Sequence, residues 1–181
     1  EKESAIGDVL GDLLRIELRA TPYDSHEYNL RGFSKFKKDD FKGAIDDFTM
    51  ALGIDKNDKY AYLHRGLARH QLGDNLNKNL DNNNDSVRRA YDLAIEDYTE
   101  SINIDPLYTS AYKWRAIAKV RFRHNGNNLY SFNFDNCRGA YGDLKKASEL
   151  GDNDASKLFN FLCRQKNHRN SFNQKGTFFT T

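Results

Sequence analysis

Five histidines, two cysteines and several adjacent carboxylates are the residues whose types suit chemistry. His64 and His70 stand six apart, so a helix puts them on different faces, unlike the i, i+4 pair that grips a metal. With His26, His124 and His168 they read as surface or groove histidines. Cys137 and Cys163 have neither metal spacing nor a CxxC partner and read as free, small apolar residues, a disulfide being the alternative. Asp46-Asp47 and Glu96-Asp97 are expected on outer helix faces as solvated surface, not as an acid–base pair. No GxSxG, Walker loop, HExxH or strand-borne GxGxxG occurs. Gly7 and Gly11 make a GxxxG, but its surroundings are too polar for a membrane dimer. The expectation is no enzyme, no metal site and no cofactor.

The elements that must position these side chains are helical. Only two prolines occur in 181 residues, which suits long helices. Charged residues make up 30% of the chain, mean hydropathy is -0.85, and net charge is only +2. No global field draws nucleic acid, and no apolar run approaches the roughly 20 residues that span a bilayer. The first residue is Glu1, so a fragment or a processed chain is expected. A cytoplasmic location is favoured, with a removed signal left open.

Self-similarity organises the chain. AIDDFTMALGID (44–55), AIEDYTESINID (94–105) and AYGDLKKASELG (140–151) align with one another. So do EYNLRGFSKF (27–36), AYLHRGLARH (61–70) and AYKWRAIAKV (111–120), which precede them. Each pair reads as a helix A followed by a helix B. Gly32 and Gly66 are 34 residues apart. Counted from Ser25, Lys59 and Thr109, position 4 is Tyr28, Tyr62 and Tyr112, and position 8 is Gly32, Gly66 and Ala116. Position 20 is Ala44, Ala94 and Ala140, position 24 is Phe48, Tyr98 and Leu144, and position 27 is Ala51, Ser101 and Ala147. Small residues let two backbones approach, and large ones fill the space beside them. From residue 25 to about 152 this pattern resembles the tetratricopeptide repeat.

The resemblance implies an all-α, right-handed α-solenoid of three helix-turn-helix repeats with N- and C-terminal capping helices. The expected layout is an amphipathic helix in 1–22, repeats at 25–58, 59–108 and 109–152, a capping helix at 153–166 and a tail at 167–181. In the first segment Ile6, Val9, Leu10, Leu13 and Leu14 recur at helical spacing. That segment is expected to cover the first repeat or to reach into the groove. The stretch from Arg164 to Lys175 carries Arg164, Lys166, Arg169 and Lys175 without acids and reads as solvated rather than as a nucleic-acid or lipid contact. Two insertions interrupt the period. The first, 75–90, adds 16 residues, is Asn-rich and is expected to be a loop, with Asp85 or Ser86 capping a lengthened helix B. The second, 124–135, adds 12 and carries Tyr130, Phe132 and Phe134. It either folds onto its own repeats or contacts a partner. Both insertions should sit on one edge of the solenoid.

In this family the A helices line a concave face. Carried over by position, the groove residues are His26, Asn29, Leu30, Phe33, Phe36 and Lys37 in the first repeat. The second gives Tyr60, Leu63, His64, Leu67, His70 and Gln71, and the third Ser110, Lys113, Trp114, Ile117, Val120 and Arg121. The resemblance implies a non-catalytic module that binds a peptide or helix of a partner protein, with Trp114 and Phe33 as anchors. Self-association as a scaffold, or service as the targeting module of a larger enzyme, are the alternatives. The carboxylate clamp that holds Hsp70 and Hsp90 tails in this family falls here on Asn29, Phe33, His64, Ser110 and Trp114, none of which matches. An Hsp tail is therefore not the expected partner, while a homo-oligomer stays open.

Overall fold

The computed structural model describes residues 24–78, 84–123 and 137–163. The N-terminal segment 1–22, the whole second insertion 124–135 with Tyr130, Phe132 and Phe134, and the tail 167–181 lie outside them. Among the described residues there are seven helices and no strand. They are α1 (Ser25–Lys37), α2 (Phe41–Ile54), α3 (Lys59–Lys78), α4 (Asn84–Ile104), α5 (Thr109–Arg123), α6 (Cys137–Glu149) and α7 (Asn153–Cys163). Each packs mainly on its neighbours in the chain, forming an all-α solenoid. The three A–B pairs of the sequence are α1–α2, α3–α4 and α5–α6.

Aspartates start the helices. Asp24 accepts from the Glu27 amide at 2.8 Å, Asp40 from Gly43 at 2.9 Å, and Asp58 from Tyr60 and Ala61 at 2.8 and 3.0 Å. Asp152 accepts from the Ala155 amide at 2.8 Å and opens α7. Each satisfies amide donors that a first helical turn leaves without a partner. The turn into α7 uses Gly151 in the left-handed region, φ +94°, where a Cβ is strained.

The core alternates small and large residues across each A–B pair. A Cβ on Gly32 would lie 3.0 Å from the Phe48 ring, and one on Gly66 only 2.7 Å from the Tyr98 ring. In the third pair the small residue is Ala116 and its large neighbour shrinks to Leu144, both buried in one cluster. Glycine thus accompanies the aromatic ring and alanine the smaller side chain.

The first insertion carries the lengthened helix B expected of it, but α3 is lengthened as well, where a loop was expected. Residues 75–78 continue α3, and residues 84–90 form the start of α4. The reason is packing: Gly73 and Tyr91 repeat the small–large contact one heptad beyond Gly66 and Tyr98, with a Gly73 Cβ position 3.0 Å from the Tyr91 ring. Tyr91, Ala90 and Val87 are buried there. Burial of this face outweighs the weak helix propensity of the Asn-rich stretch. The helix therefore begins at Asn84, ahead of the Asp85 or Ser86 cap read from the sequence. The end of α5 leans on the extension: Arg88 lies over the Phe122 ring at 5.1 Å, and Arg121 Nε is 3.7 Å from Asp74.

Candidate functional site

The A helices α1, α3 and α5 carry the residues expected to line a groove, and the fold divides them into three groups. Phe33 (39% exposed) and Tyr60 (54%) stand open to solvent, and Lys37 lies over the Phe33 ring at 5.1 Å. Half-buried are Leu30, His64, Leu67, Trp114 and Ile117. Leu63, His70 and Val120 are inside, at 5%, 3% and 1% exposure. These three were expected on the open face. Leu63 instead joins the cluster of Ala94, Tyr98 and Ile102. His70 meets the rings of Tyr91 and Trp114 edge-on at 5.3 and 5.8 Å.

The open side chains form an aromatic strip. His64 lies against both Phe33 (centroids 5.6 Å) and Phe48 (5.7 Å), and burial lowers its pKa, which favours the neutral ring. Trp114 and Leu67 pack together on the cluster between the second and third pairs. Three polar residues of this face are already engaged within the chain. Asn29 donates to Asp58 at 2.6 Å, Lys113 pairs with Asp152 at 2.8 Å, and Arg121 faces Asp74. In the first and third pairs, position 5 thus binds the aspartate that caps the following A helix.

A second set of residues was misread in the sequence. Asp47 and Asp97 were expected to be solvated, yet each is 2% exposed. Arg31 Nε and Nη2 donate to Asp47 at 2.8 and 2.6 Å, with Lys35 at 2.9 Å. Arg65 grips Asp97 at 2.7 Å and Arg69 adds 2.8 Å. Arg115 donates to Asp143 at 3.0 and 2.6 Å, with Lys119 at 2.8 Å. The bidentate geometry is the strong form of a charge-assisted bond. Burial pushes the Asp97 carboxyl up and Arg69 down, while the Arg65 bond pulls the carboxyl back. At Asp47 the opposing effects leave the pKa lowered: burial raises it, and the bonds from Arg31 and Lys35 outweigh that. Arg65 and Arg115 also reach back to Thr49 and Thr99 of the preceding B helix, at 3.2 and 3.1 Å. Arg65 and Arg115 therefore each tie A to B and their repeat to the preceding one, while Arg31 ties α1 to α2. The signal was present, because each aspartate lies three residues after the position-20 alanine. These carboxylates are consumed in ion pairs and offer no free general base. Asp46 and Glu96 remain exposed.

Among the described residues no three His, Cys, Asp or Glu gather as a metal site, and no helix is long and apolar enough to cross a membrane. No protein-family model and no curated protein matches the chain. Solved structures do. The first TPR domain of Spaghetti (RPAP3), bound to the HSP90 peptide SRMEEVD, has a TM-score of 0.57 at 19% identity, covering 77% of this chain and 92% of that one. The Arabidopsis OM64 TPR domain also gives 0.57 at 19% identity, over 80% and 95% of the two chains. This chain has the tetratricopeptide-repeat fold. The Sgt2 TPR domain from Aspergillus fumigatus extends the likeness to 87% of this chain and 85% of that one, at a TM-score of 0.54 and 19% identity. In tetratricopeptide terms, the described residues supply three A helices to one face, with a repeat-2 helix pair lengthened by about two turns per helix.

Proposed function

We propose that this tetratricopeptide-repeat chain is a non-catalytic protein-interaction module, and that its A-helix face binds a peptide or helix of a partner. The observation that carries this reading is the strip of Phe33, His64, Leu67, Trp114 and Ile117, which the fold leaves only partly covered. Such a strip offers area to a partner's apolar side chains, and aromatic anchors contribute disproportionately to such binding. Leu30, Tyr60 and Lys37 border it. Leu63 and His70 support it from inside. The structural neighbour bound to the HSP90 peptide SRMEEVD supports this reading, since a domain of the same fold holds a peptide.

An acidic C-terminal tail fits this groove poorly. His64 is held neutral between two rings, and Phe33 and Trp114 stand where the family's clamp needs polar or cationic groups. Lys113 is already paired with Asp152. The partner is therefore an apolar or amphipathic segment, gripped through its side chains rather than its terminal carboxylate.

Affinity purification with the native chain and with Phe33→Ala/Trp114→Ala tests the groove. The expected result is loss of the captured partner with far-ultraviolet circular dichroism retained. Undiminished capture would move the site to the edge bearing the insertions.

A further inference from the structure

We infer that α7 serves as a fourth A helix, and that the open face takes a single amphipathic partner helix whose apolar stripe is flanked by carboxylates. This rests on the groove reading above and names the kind of segment the groove takes.

The register of α7 is that of an A helix. Ala61, Ala111 and Ala155 are each the third residue of their helix, and each is fully buried. Asp152 caps α7 and pairs with Lys113 of α5, just as Asp58 caps α3 and accepts from Asn29 of α1. Counted the same way, the sixth residues are Leu30, His64, Trp114 and, in α7, Leu158. The ninth are Phe33, Leu67, Ile117 and Phe161. Leu158 is half-buried and Phe161 is 62% exposed. The positions that serve a B helix are not kept. The seventh residue, arginine in the three A helices, is Phe159 in α7. The eighth, glycine or alanine there, is the exposed Asn160. A terminal helix needs a polar outer side, which accounts for Asn160. Capping gives no reason for an exposed phenylalanine in register with Phe33, whereas continuation of the strip does.

The chemistry of the face selects a helix. An extended peptide must find partners for its own amides and carbonyls. Asn29, Lys113 and Arg121, which could supply them, already face Asp58, Asp152 and Asp74. A helix satisfies its backbone internally and asks the groove only for side-chain contact. Four A helices about 10 Å apart set the outer rungs about 30 Å apart, the length of a helix of about 20 residues. Charge points the same way. Lys37 stands exposed beside Phe33, and the eighteen groove positions of α1, α3 and α5 include no Asp or Glu. In α7, Asp154 and Lys157 offset each other at 3.5 Å. Carboxylates beside the partner's apolar stripe therefore complement this face.

The test is selection of a phage-displayed library of random peptides, about 20 residues long, on the full chain. Peptides that fail to bind Phe33→Ala/Trp114→Ala report the groove. These should carry apolar residues at i, i+3, i+4 and i+7 between acidic ones, and synthetic copies should gain helical circular dichroism on binding. Phe161→Glu should weaken them about tenfold or more, at an unchanged urea midpoint because the side chain is exposed. Should that midpoint fall, the native chain supplies the readout: the amide signals of Leu158 and Phe161 should shift as peptide is added, and unshifted signals would overturn the proposal. Groove peptides that bind Phe161→Glu as tightly as the native chain keep the groove and remove α7 from it. Groove peptides that stay non-helical when bound, or that lack an apolar stripe, overturn the helical occupant. A selection yielding no peptide sensitive to Phe33→Ala/Trp114→Ala removes the groove reading itself, and this inference with it.

Discussion

At the residue scale, the buried carboxylates are the most consequential single groups. Asp97 is 2% exposed and accepts from both Arg65 and Arg69. Removing it leaves two guanidinium groups without their partner in a partly dry site. Asp97→Ala should cost about 3 kcal/mol in urea unfolding, whereas Lys145→Ala, in an exposed pair with Glu149, should cost under about 0.5 kcal/mol. Similar losses for both would mean that the repeated ion pair is decorative. His70 gives a pH prediction. It is buried against Asp74, Tyr91, Trp114 and Arg121, and desolvation lowers its pKa from 6.5 to about 4. The folded state thus favours neutral imidazole, and the unfolded chain binds the proton more readily. Stability is fully present above about pH 6.5 and declines as pH falls toward 4, by on the order of 3 kcal/mol. Urea midpoints from pH 7 to 4.5 should fall less steeply for His70→Phe than for the native chain. Parallel curves would remove His70 as the cause.

At the element scale, the small–large contacts decide helix pairing. Gly66→Ala places a Cβ 2.7 Å from Tyr98, a ring with no exposure and little room to yield. We expect a destabilisation of about 1–3 kcal/mol. Gly142→Ala lies inside α6 with nothing within 4 Å of the new Cβ. It should stabilise by roughly 0.5–1 kcal/mol, because alanine has less chain entropy to lose in a helix. Thermal melts of the two variants should move in opposite directions, and a shared direction would contradict the packing account. Their positions in the repeat made Gly32 and Gly66 legible as close-approach sites. Gly73 was not recognised, although it stands seven residues beyond Gly66 and Tyr91 seven before Tyr98. The lengthened helix B was legible, but Asn-rich composition masked the extension of α3 over 75–78, which follows the packing of Gly73 on the Tyr91 ring.

At the scale of the whole molecule, each helix depends on its chain neighbours, so stability should be graded along the stack. The α3–α4 pair is the longest, with 20 and 21 residues, and holds Tyr91 and Tyr98 without exposure. It is flanked on both sides by other helices. Native-state hydrogen exchange should be slowest in α3, α4 and the first turns of α5, and faster in α1 and α7. A flat profile would show one indivisible unit instead of a repeat array.

The sequence by itself determined the helical class, the A–B alternation and the small and large positions. Compared with the family's pattern, it also puts none of the clamp's residue types at the expected positions. These follow from local spacing, because periodicity fixes which residues share a helix face. Tertiary structure alone decided which side of each helix is covered. Leu63 and His70 turned inward because neighbouring helices close over them. Asp47, Asp97 and Asp143 became buried because their arginines arrive from 16, 32 and 28 residues earlier in the chain. No local pattern states the cost of burying a carboxylate, since the cations that offset it belong to another helix.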